Sequence, residues 1–91
     1  NALATHPEIE ESIVFGVDDE EWGQEVAAIV VRTPQSTLTI DDIVAHLEQR
    51  LARYKRPAFI RLRSEPLLRN ATGKVIRKDP LLVVTAENRV V

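Results

Sequence analysis

Ninety-one residues, 44% hydrophobic and 29% charged, describe one small soluble domain with a modest core, too small for an ordinary two-substrate enzyme. The absence of cysteine excludes disulfides, thiolate catalysis and zinc-thiolate sites, and it suits a reducing, cytoplasmic setting. No apolar run approaches the roughly 20 residues of a membrane span, and the formal net charge of −2 alone points to no partner.

In chain order the pattern alternates between helix and strand. Asn1 to Thr5 reads as the last turn of a helix, closed at His6-Pro7 because proline disfavours helix at the residue before it. Ser12 to Val17 is a short apolar strand that ends in an acidic turn, Asp18 to Glu21. Glu25 to Arg32 is a second strand, rich in β-branched residues, and the two are expected to pair as antiparallel neighbours. Thr39 caps a helix, with Asp42 as its capping-box partner, and Ile40, Ile43, Val44, Leu47, Leu51 and Tyr54 share one helical face. Asp41 and Asp42 fall in the first turn and Arg50 and Arg53 in the last, as the helix macrodipole favours. Lys55-Arg56-Pro57 ends that helix and Ala58 to Arg63 forms a third strand. Val75 to Leu82 suggests a short helix interrupted by Pro80, and the tail from Val83 has no clear pattern. The expected fold class is α+β: a small sheet of about three strands plus a β-hairpin, with helices packed against it. The lack of any methionine, with no signal-peptide architecture, suggests a piece of a longer polypeptide.

Charge is segregated along the chain. Up to Gln49 the only lysine or arginine is Arg32, and from Arg50 to Lys78 the only acid is Glu65. If those cations share a face, their summed field attracts a polyanion; otherwise they are solvated or balance the acidic half within the fold. Stacking readout of nucleic acid needs several exposed aromatics, and Phe15, Trp22, Tyr54 and Phe59 are scattered. His6 and His46 lie in separate elements and form no metal-ligand pattern, with His46 expected on the polar face of its helix. Asp18 to Glu21 suits a solvated loop better than an acid-base pair.

The segment Arg69-Asn70-Ala71-Thr72-Gly73-Lys74 is a small-residue turn that presents one lysine. An ammonium on a reaching stem suits a carboxylate or phosphate, although a lone Gly-Lys is commonly just a solvated turn. It is not a phosphate-binding P-loop, because Val75 stands where Ser or Thr would follow Gly73-Lys74.

Three segments in order, Gly16 to Gln24, Tyr54-Lys55-Arg56-Pro57 and Arg69 to Lys74, closely resemble the small C-terminal domain of adenylate-forming (AMP-binding) enzymes, particularly acyl-CoA synthetases. The likeness covers nearly the whole chain, which would then be a single C-terminal domain over residues 1–91, without the large domain, hinge and glycine-rich loop. It implies activation of a carboxylate by ATP to an acyl-adenylate with release of pyrophosphate, then transfer of the acyl group to CoA. Lys74 matches the family's catalytic lysine, presented by Gly73, and Trp22, Tyr54 and Arg56 match positions where some CoA ligases contact CoA. Mg2+ is implied with ATP but not as a ligand of this domain. The implied partners are the large domain, ATP, a fatty or other carboxylic acid and CoA. An exposed lysine in such a turn is also a chemical target for acetylation, which would erase its charge. The isolated domain is expected to be inactive. The alternative from another class is a non-enzymatic module that holds a polyanion or nucleic acid on the basic 50–78 segment.

Overall fold

A computed structural model describes residues 2–19, 23–74 and 83–90. Its elements are a 3-10 turn at Leu3–Thr5, strands β1 (Ile9–Asp19) and β2 (Gly23–Arg32), helix α1 (Ile40–Glu48), a 3-10 turn at Arg53–Lys55, strand β3 (Phe59–Arg63) and a 3-10 turn at Ala86–Asn88. The strands form one mixed sheet in the order β1-β2-β3, with β1 antiparallel and β3 parallel to β2. The predicted hairpin and third strand are therefore parts of a single α+β layer.

The continuous apolar run in β2 explains its central place. Ala27, Ala28, Ile29, Val30 and Val31 are all fully buried, which requires cover on both faces of the sheet. On one face Ala28, Val30 and Ile60 pack with Ile43 and Leu47 of α1 and with Leu3, Ile9 and Leu38. On the other face Ile29 and Val31 pack with Ile13 and Leu67, and Phe15 and Val84 lie against them. The residues after α1 thus close the face that the helix leaves open.

Helix α1 starts as predicted. Thr39 Oγ1 accepts from the Asp42 backbone N–H at 3.2 Å, and Asp42 Oδ2 accepts from the Thr39 N–H at 3.0 Å, a reciprocal capping box. The hydrogen bonds from the Thr39 backbone and hydroxyl, with a smaller pull from His6, hold the Asp42 carboxyl below its ordinary pKa of 3.8.

The end of α1 differs from expectation. It stops at Glu48 instead of reaching Tyr54, so neither Arg50 nor Arg53 lies within it. Leu51 N–H still donates to Leu47 O at 2.8 Å, which keeps Leu51 on the apolar face, but Ala52 is extended and turns the chain out of helix. Arg50 Nη1 donates to His46 O at 3.1 Å and so satisfies a terminal carbonyl from just outside the helix. Tyr54 is 84% exposed and belongs to no core face.

Other boundaries also shift. The N-terminal segment is a single 3-10 turn anchored by buried Leu3. Asp18 and Asp19, expected in the acidic turn, belong instead to β1, paired with Gln24 and Gly23. The predicted helix over Val75 to Leu82 lies outside the described residues. From Val83 the chain returns to the sheet: Phe59 and Arg89 form an antiparallel bridge, Val90 N–H donates to Ala58 O at 2.9 Å, and Arg89 lies over the Phe59 ring at 4.5 Å.

Candidate functional site

Lys74 stands at the end of a turn that fixes its main chain from both sides. Gly73 N–H donates to Asn70 O at 2.9 Å, and Asn70 N–H donates to Lys74 O at 2.8 Å, closing the turn. The Asn70 side chain fills its interior: Oδ1 accepts from Thr72 N–H at 3.0 Å, from Thr72 Oγ1 at 2.7 Å and from Lys74 N–H at 3.0 Å. Gly73 has φ +88°, a left-handed conformation that L side chains disfavour, and a Cβ there would meet no atom within 4 Å. Backbone conformation, not space, therefore requires the glycine.

The turn is tied to the sheet by Arg69. Its Nη1 donates to Gly73 O at 2.9 Å and its Nη2 to Glu11 Oε1 of β1 at 2.5 Å. The other oxygen of Glu11 accepts from Leu67 N–H at 3.0 Å. Lys74 itself is exposed, and among the described residues its ammonium has no ion-pair or hydrogen-bond partner. A cation on a fixed stem base, unpaired among the described residues, can enter a space between two anionic groups brought from outside.

The predicted CoA-contacting residues lie elsewhere. Arg56 lines an open groove of about 280 Å³ with Val44, Glu48, Arg53, Pro57 and Ile60, on the helix face of the sheet. Its Nη1 is 4.0 Å from Glu48 Oε2, and its buried Nε has no hydrogen-bond partner among the described residues. Tyr54 does not line that groove and projects into solvent with Lys55 Nζ 5.7 Å from its ring centroid. Trp22 lies outside the described residues. The Lys74 turn is anchored through Glu11 and Leu67 on the face opposite α1, so the sheet separates Lys74's anchorage from Arg56.

Glu11 and the supporting roles of Arg69 and Asn70 escape motif reading. Glu11 is one of several acids in the first half of the sequence, and nothing local distinguishes it. The two histidines, read as unrelated, meet edge to face at 4.8 Å between ring centroids, and His46 Nε2 lies 2.9 Å from Ala2 O, so His46 faces the N-terminal turn. No group of three or more His, Cys, Asp or Glu able to hold a metal occurs among the described residues. No described helix is long and apolar enough to cross a membrane.

The segregated charges meet in space. Arg69 pairs with Glu11, Arg89 with Glu25 and Arg56 with Glu48, in each case joining the second half to the first. Arg61 Nη1 donates to Val83 O at 3.0 Å, and Arg63 Nη2 to Pro66 O at 3.4 Å. Much of the basic segment therefore serves internal contacts.

Comparison with known proteins gives a consistent result. The sequence model of the AMP-binding enzyme C-terminal domain matches residues 1–74. A crotonobetaine/carnitine-CoA ligase of Citrobacter koseri is 35% identical over 79 residues, 87% of this chain and 15% of that protein. A fatty acyl CoA synthetase of Mycobacterium tuberculosis superposes with a TM-score of 0.71 at 37% identity, covering 84% of this chain and 15% of its own. Apo MatB of Rhodopseudomonas palustris gives a TM-score of 0.73 at 32% identity, over 84% of this chain and 15% of its own. The chain thus spans about 15% of the length of the relatives it matches.

Proposed function

The chain belongs to the AMP-binding enzyme C-terminal domain family, and on that premise we propose that it is the mobile small domain of an ATP-dependent acyl-CoA synthetase, with Lys74 as its adenylation catalyst. The observation that carries this reading is the Lys74 turn: a backbone held at both ends of the Gly73–Lys74 peptide, with an exposed lysine side chain that has no partner among the described residues.

In the first half-reaction a carboxylate oxygen attacks the α-phosphorus of ATP, and the bond from that phosphorus to the bridging oxygen of pyrophosphate breaks. The products are an acyl-adenylate and pyrophosphate. Two anions must approach each other, and the Lys74 ammonium between them offsets their repulsion and stabilises charge as it develops on the phosphoryl oxygens. Arginine would keep the charge but brings a wide planar fork to a gap suited to a point charge. In the second half-reaction the CoA sulfur attacks the acyl carbon, AMP leaves and the thiol proton passes to solvent. That step needs no cation between carboxylate and phosphate, so Lys74 is free to withdraw. The opposite placement of the Lys74 turn and Arg56 about the sheet supports a domain that turns a different face to the large domain in each half-reaction. Arg56, and Tyr54 with Trp22, are the residues proposed to meet CoA.

The polyanion-binding alternative is weakened by the internal use of Arg56, Arg61, Arg63 and Arg69. The full-length protein, given ATP, CoA and a panel of carboxylic acids, should form AMP, pyrophosphate and thioester in equal amounts with at least one acid. No pyrophosphate release with any acid would overturn the reading. The 91-residue chain alone should release none, and salt-sensitive binding of nucleic acid by it would favour the alternative.

A further inference from the structure

We propose that Glu11 is a positioning residue for Lys74, acting through Arg69, and that a bulge in β1 exists to aim it there; this rests on the reading of Lys74 as adenylation catalyst. The register of β1 against β2 shows the device. Ile9 pairs with Arg32 and Glu11 with Val31, so Glu10 is an extra residue with no partner in the ladder.

Side chains alternate faces along a regular strand, and an extra residue reverses the alternation beyond it. Ile9 packs on the α1 face with Val30, whereas Ile13 packs on the opposite face with Ile29 and Val31. Without the bulge Glu11 would share the face of Ile9 and point toward α1. With it, Glu11 stands over Val31 beside Leu67, where the chain leading to Lys74 passes.

There both of its oxygens are used: Oε2 accepts from Leu67 N–H and Oε1 from Arg69 Nη2. Arg69 is left with Nη1 directed at Gly73 O, the carbonyl of the peptide whose N–H, on Lys74, donates to Asn70 Oδ1. The guanidinium fork bonds two oxygens at a fixed angle, so anchoring one branch on Glu11 sets the other and orients the plane of the Gly73–Lys74 peptide. Lys74 therefore takes the direction of its stem from β1, across 63 residues of sequence.

The test uses the full-length ligase and two variants. Glu11→Gln removes the charged partner of Arg69, and Arg69→Lys keeps a cation for Glu11 but cannot bridge it to Gly73 O. Each should lower kcat for acyl-adenylate formation about tenfold, leaving the KM for ATP and the rate of thioester formation from supplied acyl-adenylate unchanged. In both, hydrogen exchange of the Gly73 and Lys74 amides should accelerate about tenfold while β2 amides stay at wild-type rates. A merely structural ion pair predicts otherwise: Arg69→Lys at wild-type rate, or both half-reactions and β2 exchange changing together, would overturn the proposal. Lys74→Ala serves as the control. If it leaves adenylation intact the catalytic reading fails, whereas if it abolishes adenylation while both other variants keep full rate and amide protection, only the positioning role fails.

Discussion

Removing the Asn70 side chain should slow adenylate formation without unfolding the domain. In Asn70→Ala, Thr72 N–H, Thr72 Oγ1 and Lys74 N–H lose their shared acceptor. A neutral hydrogen bond contributes about 0.5–1.5 kcal/mol net, and these donors are exposed and can turn to water, so the low end of that range applies to each. Three such bonds amount to about 1.5 kcal/mol of turn ordering, or about a tenfold smaller population with Lys74 correctly aimed. If only that population reacts, kcat for pyrophosphate release falls about tenfold at saturating ATP and carboxylate. Asn70→Asp retains an acceptor for the same three donors and should recover most of the rate. The assay is ATP-pyrophosphate exchange by the full-length protein. Full activity in Asn70→Ala, or equal slowing of thioester formation from supplied acyl-adenylate, would show that the Asn70 bonds do not order Lys74 for adenylation.

Other consequences are independent of that turn. Asp42 has a folded-state pKa below its ordinary 3.8, so its contribution to stability is present above that value and is lost as pH falls through the lower folded value. Urea midpoints of wild type and Asp42→Asn should therefore differ at neutral pH and converge below about pH 4. Ile43→Ala removes a fully buried side chain from the α1 face and should cost about 2–5 kcal/mol of unfolding free energy by urea titration. Tyr54→Ala should change stability by less than about 0.5 kcal/mol, because the ring is almost wholly exposed. The same variant, and Arg56→Ala, should raise the KM for CoA while leaving adenylation at wild-type rate.

Elements governed by local chemistry were legible in the sequence. Thr39 and Asp42 specify the start of α1 by a bond pattern spanning four residues, and the β-branched run from Glu25 to Arg32 marks β2 as a strand, its burial on both faces becoming visible only in the packing. The end of α1 was not, because the helical spacing of Leu51 and Tyr54 continues past the point where Ala52 becomes extended, and only packing reveals that Tyr54 meets no core. Motif order pointed to Lys74 and Gly73, and the left-handed Gly73 gives that spacing its physical basis. The anchorage through Glu11 depends on one unpaired residue in β1, which hydrophobic alternation alone does not disclose. The charge segregation likewise could not reveal that Arg69 and Arg89 would face Glu11 and Glu25, because pairing between elements distant in sequence is a property of topology.

Lys74 is proposed to act in only one of the two half-reactions, and assaying each separately isolates its role. Lys74→Ala in the full-length protein should abolish pyrophosphate release from ATP and carboxylate, while supplied acyl-adenylate and CoA still yield thioester at close to the wild-type rate. Pyrophosphate release at the wild-type rate, or parallel loss of both half-reactions, would remove Lys74 from the adenylation step.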